Sequence, residues 1–198
     1  MSDLLLAVHF ETCGLPDSHS PIVLDALLFK YDGTLVDRFY CVIKPYEHFQ
    51  WDAGSESTHM LSRDEVFRIG VDYKTTSALF QQFMAKYSDS PTTLVCWDAH
   101  TTAINAAYFT PNGTQYFLGC DKLPLRDAID MKQVFKFYLL HKGSELKFFT
   151  NMPQILEKWG VVQDVNYWSR TVFREVPIPT RSMSHKLYLI FIKMKDSK

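Results

Sequence analysis

The sequence predicts an α/β protein in which a mixed β-sheet is flanked by helices. Two apolar, strand-favouring stretches lie near the N-terminus, and an Asp-Gly turn leads the chain into a third, which predicts a first strand followed by a β-hairpin. Helical stretches with capping signals then alternate with short strand-like ones. The chain has 198 residues, 46% of them hydrophobic. This is enough for one large core, so we expect a single domain over residues 1–198.

Charge and cysteine content exclude several classes of protein. The 21 basic and 22 acidic residues nearly cancel, so no global field attracts nucleic acid or a membrane. Residues 174–198 hold six Lys/Arg against two acids and form the one predicted phosphate-facing patch, although lysine-rich tails are more often simply solvated. The four cysteines show no metal-binding spacing and predict reduced thiols. The apolar run 4–8 is too short for a signal peptide or membrane span, so we expect an intracellular protein, cytoplasmic or nuclear.

The first strand begins at Leu4 and carries Glu11 at its end, after which the chain turns at residues 13–16. A second strand is predicted over residues 22–31, and Asp32-Gly33 is a strong hairpin signal. The third strand returns over residues 35–43 and ends before Pro45.

Helices are predicted from caps and apolar periodicity. Residues 46–61 are polar and predict a loop, after which Ser62 and Glu65 form a capping box that begins a helix. A second helix is predicted over residues 76–86, with one apolar face. The members of that face are Leu79, Phe80, Phe83 and Met84.

The second half of the chain continues with a short strand over residues 92–97 and a helix capped by Asp98. A loop-rich passage over residues 110–128 precedes a short strand that ends at residues 128–131. Helices follow over residues 132–140 and 153–159, the latter closed by Gly160. Residues 183–194 are apolar and strand-favouring, so helix and strand both stay open.

The segment Glu11-Thr12-Cys13-Gly14-Leu15 resembles the first motif of the DnaQ-like DEDDh 3′-5′ exonuclease family, Asp-x-Glu-Thr-x-Gly-Leu. His9 stands where the first Asp is expected. The resemblance implies an RNase H-like fold, in which Phe39, Val42 and Pro45 match the end of the third strand. It also places His59 at the family's His-Gly-Ile segment, in a nucleotide pocket. A histidine that only packs beside a helix start explains His59 equally well.

The family's other acids are not found where the resemblance places them. Aligning the strand over residues 92–97 puts Thr102 on the second metal-binding Asp. Asp98 and His100 lie nearby as substitutes, but their offset turns them off the expected helical face, and we favour a capping role for Asp98. In the third motif, aligning His185 with the family His puts Ile190 at the position of the family acid. Aligning the apolar end of the last element instead puts that position near Ser182. Neither alignment gives an acid.

Two-metal phosphodiester cleavage requires several carboxylates around two ions, and Glu11 is the one family acid retained. A neutral imidazole at His9 adds no charge and favours softer metals than Mg²⁺. The sequence therefore predicts a degenerate member without nuclease activity and without a metal cofactor, Mg²⁺ or Mn²⁺ being needed only if it is active. A transition-metal site formed by His9, Glu11 and a third ligand, His100 or His185, stays open.

Three functions remain open at this point. The first is an inactive exonuclease-like domain that binds single-stranded RNA or DNA, or a protein partner. The second is an active exonuclease with relocated ligands such as Glu11, Asp98 and Asp130. The third is a pure interaction module, suggested by near-neutral charge, 15 Phe and four Trp. The candidate binding residues are His9, Glu11, His59, Asp98, His100, His185 and Lys186.

Overall fold

The computed structural model of the protein describes residues 4–14, 20–46, 49–110, 115–143, 152–160 and 183–196. The strands are β1 (Leu4–Thr12), β2 (Pro21–Lys30), β3 (Leu35–Val42), β4 (Thr92–Cys96) and β5 (Ile129–Asp130). The helices are α1 (Ala53–His59), α2 (Arg63–Ile69), α3 (Tyr73–Ala85), α4 (Ala99–Ala107), α5 (Met131–His141), α6 (Met152–Lys158) and α7 (Met183–Asp196).

The five strands form one mixed sheet in the order β3-β2-β1-β4-β5. The first three are antiparallel neighbours, and β4 and β5 are added in parallel. Asp32-Gly33 makes the predicted turn between β2 and β3, with Gly33 at a φ of 98° that favours glycine. The predicted fold class, an α/β protein with an RNase H-like mixed sheet, is confirmed.

Helices cover both faces of the central strand β1, which explains why its sequence is almost continuously apolar. The face that includes Leu6 and Phe10 packs against α3 and α4. The opposite face, with Leu5 and Ala7, packs against α5, α6 and α7. Because side chains alternate along a strand, His9 and Glu11 lie on this second face, at the end of the strand.

The structure corrects the prediction of a loop over residues 46–61, because helix α1 lies within it. Asp52 caps this helix by accepting the Gly54 N–H at 2.8 Å, and Met60 ends it at a φ of 62°. The next correction concerns α3, which begins at Tyr73 instead of residue 76, since Asp72 supplies the cap. Leu79 is 40% exposed and does not share the inner face predicted for it.

The capping signals of the sequence were otherwise reliable. The Ser62–Glu65 capping box begins α2, and Asp98 caps α4 by accepting the Thr101 N–H. The passage over residues 110–128 contains short 3-10 turns at Phe117–Gly119 and Leu125–Asp127. The last element, left open between helix and strand, is helix α7.

All four cysteines are free thiols, three of them buried, as the spacing predicted. Among the helices that the structure describes, none combines the length and the apolar character that crossing a membrane requires.

Candidate functional site

The candidate site lies at the end of β1, where His9 and Glu11 share one face of the sheet. The His9 Nε2 atom is 3.5 Å from Glu11 Oε1, and the side chains are 26% and 20% exposed. At this distance a protonated imidazole forms an ion pair with the carboxylate. The predicted contact between positions i and i+2 of the strand is therefore present, and it is open to solvent on one side.

A buried ion pair lies beside it. Asp25 stands directly opposite His9 in the β1–β2 ladder and is 3% exposed. Arg38 donates to Asp25 Oδ1 through Nε at 3.1 Å and through Nη2 at 2.8 Å. An ionised carboxylate without water needs such a partner, so Arg38 neutralises the acid next to His9.

The first turn of α7 docks on the same carboxylate. The Ser184 N–H donates to Asp25 Oδ2 at 3.4 Å, which satisfies one of the free N–H groups of the helix start. The neighbouring His185 stacks on Tyr188 at 5.9 Å. Burial, together with the nearby Arg38 charge, lowers the pKa of His185 to about 4. The His185 ring is therefore neutral at neutral pH.

Tyr40 closes this side of the site. It lies opposite Asp25 in the β2–β3 ladder. Burial raises the pKa of Tyr40 well above its ordinary value, and the negative charges of Asp25 and Glu11 raise it further. The phenol therefore stays protonated, and its hydroxyl has no hydrogen-bond partner among the residues that the structure describes.

His59 is the last residue of α1, and its side chain contacts that helix and the link that leads into α2. Its place in a nucleotide pocket stays a prediction. The ring is 2% exposed. Its Nδ1 accepts the Leu61 N–H at 3.2 Å, and its Nε2 lies 3.1 Å from Ser55 Oγ. Burial lowers the pKa of His59, against the influence of Glu11 and Glu56. His59 thus holds the junction of α1 and α2 as a neutral ring.

Asp98 and Asp130, both proposed as relocated ligands, act as helix caps. Asp98 also forms an ion pair with Lys132 at 3.1 Å. Burial by itself would raise the pKa of Asp98, but the hydrogen bond from the Thr101 N–H and the contact with Lys132 lower that pKa below its ordinary value. Asp130 accepts the N–H groups of Ala99 and Gln133, each at 3.1 Å. Each of the two acids therefore caps its own helix and also contacts the first turn of the other, which connects α4 and α5.

The remaining candidates are spread over the fold. His100 is exposed on the first turn of α4, whereas Thr102 is buried and donates its hydroxyl to the Asp98 carbonyl at 2.8 Å. Ile190 is fully buried in the core. Lys186 is 4% exposed and therefore adds nothing to a basic surface. Ser182, the other position considered for the third acid, lies outside the described residues.

These residues do not fit a pair of catalytic Mg²⁺ ions. In the ranges that the structure describes, no three His, Cys, Asp or Glu side chains converge in a way that could hold a metal ion. Glu11, Asp98 and Asp130 do not form such a group, nor does the set of His9, Glu11 and His100 or His185. Arg38 places a fixed positive charge on the face where metal ions would need negative ligands.

A small basic and aromatic cluster lies at the same end of the sheet. Lys44 lies two residues after Val42, which pairs with Val23, the partner of Glu11. The ammonium of Lys44 lies 5.5 Å from the centre of the Phe67 ring, and the guanidinium of Arg63 lies 5.1 Å from it. We call Lys44, Arg63 and Phe67 the α2 cluster.

Sequence reasoning missed Asp25, Arg38 and Tyr40. A signal for Asp25 was present, since it is the one acid within the apolar strand β2. A carboxylate in such a strand requires a buried partner. The sequence does not identify that partner, because Arg38 lies in a different strand.

Several solved structures share this fold. Cell-death related nuclease 4 (CRN-4) superposes with a TM-score of 0.71 at 15% identity, over 98% of this chain and 63% of that protein. The nuclease domain of 3′hExo, a DEDDh family member bound to rAMP, gives 0.70 at 15% identity, over 99% and 94%. Product-bound exonuclease I gives 0.71 at 11% identity, over 100% and 44%.

These likenesses define the class of fold, since they cover nearly all of this chain. The protein has the DnaQ-like, DEDDh exonuclease fold. At the level of sequence, no family model and no curated protein matches the chain.

Proposed function

We propose that this exonuclease-fold domain holds a single strand of RNA or DNA at the end of β1 without cutting it. The observation that carries the proposal is that both acids on this sheet face, Glu11 and Asp25, already have a side-chain partner. His9 accompanies Glu11 at 3.5 Å, and Arg38 binds the buried Asp25. Cleavage by two metal ions needs several free carboxylates that the ions can bridge, and these acids are already paired.

Binding of a strand is supported by the surroundings of the site. Proteins that bind single strands combine cations that follow the phosphates with side chains on which bases stack. The α2 cluster supplies two cations and a ring at the end of the sheet where Glu11 lies. Among the proteins of this fold, 3′hExo was solved with rAMP, and a 3′-exonuclease with a histone mRNA stem-loop.

A cleavage assay tests the proposal that the domain does not cut nucleic acid. End-labelled single strands of RNA and DNA are incubated with the protein and Mg²⁺ or Mn²⁺, and we expect no shortening. Cleavage that disappears in Glu11→Ala but persists in Asp64→Ala would refute it. Asp64 is an exposed carboxylate on α2 and serves as the matched control.

A binding titration tests the proposal that the domain binds a single strand of RNA or DNA. We expect the logarithm of the association constant to fall linearly with the logarithm of the salt concentration. Each phosphate contact to a single strand contributes a slope of about −0.7. The double variant Lys44→Ala/Arg63→Ala should therefore bind more weakly, with a slope about 1.4 smaller in magnitude.

The control for this titration is Lys74→Ala/Lys158→Ala, which removes the same charge from exposed positions on α3 and α6. Equal losses in both double variants would indicate a general charge effect in place of a site. Absence of binding by the wild-type protein at low salt would reject nucleic acid as the ligand.

A further inference from the structure

Helix α5 presents an apolar stripe to solvent. Val134, Phe137 and Leu140 recur on one side of the helix and are 40%, 73% and 54% exposed. They are three of the ten large apolar side chains that are exposed in the described ranges. We call these three residues the α5 stripe.

The opposite side of α5 packs against the core. Met131 and Phe135 are 2% and 3% exposed, and the Phe135 ring lies 5.3 Å from that of Trp159. One apolar face suffices to dock a surface helix, and a helix that is apolar on all sides is normally covered. The α5 stripe is therefore more apolar than the packing of this chain requires, as is typical of an interaction site.

The charged side chains of α5 itself have one sign. Residues 131–143 contain Lys132, Lys136 and Lys142 and no acid, in a chain with a net charge of −1. Lys132 is paired with Asp98. Lys136 precedes Leu140 by one helical turn, and the Lys142 ammonium lies over the Tyr138 ring at 5.9 Å. The surface thus combines apolar anchors with positive flanks.

We propose that the α5 stripe docks an acidic amphipathic helix of another protein. Apolar side chains at positions i, i+3 or i+4, and i+7 of that helix would pack on Phe137 and its neighbours. Asp and Glu beside them would face Lys136 and Lys142, which favours encounter and fixes orientation. A second copy of α5 fits poorly, because it would bring lysines against lysines.

A displayed peptide library tests this proposal on the full chain. The library holds 16-residue helical peptides in which the apolar and flanking positions are randomised. Selection on the wild-type protein should enrich aliphatic or aromatic anchors with Asp and Glu flanks. The enriched peptides should bind Phe137→Ser at least about tenfold more weakly, and Lys136→Glu more weakly and with less dependence on salt.

The matched control is Ile104→Ser, which removes an aliphatic side chain that is 46% exposed on α4 and should leave the affinity unchanged. Urea unfolding shows whether Phe137→Ser keeps its stability, and Leu140→Ser provides a second variant of the stripe. The proposal is overturned if selection enriches no acidic peptide, or if the enriched peptides bind Phe137→Ser as well as wild type.

Two further measurements separate other occupants of the stripe. Flotation with vesicles of phosphatidylserine and phosphatidylcholine tests for a membrane surface, and sedimentation velocity tests for a second copy. Association that depends on Phe137 in either one would replace the peptide as the occupant. The peptide experiments on the α5 stripe use no nucleic acid, so their outcome is independent of the function proposed for the end of β1.

Discussion

Loss of Arg38 should destabilise the protein more than loss of any surface cation. Arg38→Met leaves an ionised Asp25, 3% exposed, without its two hydrogen bonds from the guanidinium. Breaking a buried pair by removing one partner costs about 3–5 kcal/mol, against a total stability of about 5–15 kcal/mol for a typical domain. Urea unfolding at neutral pH should therefore show a much lower midpoint with a similar slope.

A double variant separates the charge from the packing. Asp25→Asn added to Arg38→Met removes the buried charge that Arg38 no longer neutralises and should recover a large part of the lost stability. The exposed control is Lys86→Met, which breaks the pair with Asp37 at 3.4 Å and should cost less than about 1 kcal/mol. The reasoning fails if Arg38→Met costs no more than Lys86→Met, or if the double variant is no more stable than Arg38→Met.

Three smaller predictions follow from single contacts. Between pH 6.5 and about 4 the unfolded chain protonates His185 and the folded chain does not. The contribution of His185 to the free energy of unfolding is therefore fully present above this window and is lost as the pH falls through it, by up to about 3 kcal/mol. His185→Gln should lose less over the same range. Urea unfolding at a series of acid pH values measures both. Gly33→Ala should lower the thermal midpoint, because a Cβ there would lie 2.8 Å from Ile192 Cδ1 at a φ of 98°; an unchanged midpoint would contradict this. Ser62→Ala removes the acceptor of the Glu65 N–H and should cost about 1 kcal/mol in urea unfolding, whereas Ser57→Ala on exposed α1 should cost less.

The elements whose limits depend on local chemistry were predictable from the sequence. The Asp32-Gly33 turn and the Ser62 capping box act through neighbouring residues, and the structure has both. Helix α1 was missed because it has only seven residues, and Gly54 and Ser55 in its first turn have weaker helix propensity than Ala or Glu. Helix α7 was ambiguous because its strand-favouring residues are helical only when Leu187 and Ile190 bury one side against the sheet.

The candidate site was predictable along one strand and not across strands. The contact between His9 and Glu11 follows from the two-residue repeat of a strand. The partner of Asp25 depends on the register of β2 and β3, where Tyr40 lies directly opposite. Arg38 reaches Asp25 along the diagonal, which long side chains can span. Neither that register nor the docking of Ser184 on Asp25 can be inferred from residue spacing alone.

The charge pattern of the sheet face leads to a prediction about its stability without metal. Clustered carboxylates repel one another unless cations lie between them. Here Arg38 pairs with Asp25, and His9 puts a ring without a carboxylate next to Glu11. His9→Asp should therefore place a third acid beside Glu11 and opposite Asp25, and lower the thermal midpoint through like-charge repulsion. His9→Asn, which adds no charge, is the control and should lose less.

Mn²⁺ should then distinguish the variants. An ion that binds only the folded state raises stability as its concentration exceeds its dissociation constant. His9→Asp supplies carboxylates on adjoining positions, so millimolar Mn²⁺ should raise its midpoint and leave wild type and His9→Asn unchanged. If Mn²⁺ stabilises the wild-type protein as much as His9→Asp, then the wild-type site binds metal already, and the proposal that its acids are taken up by side chains of the protein is wrong.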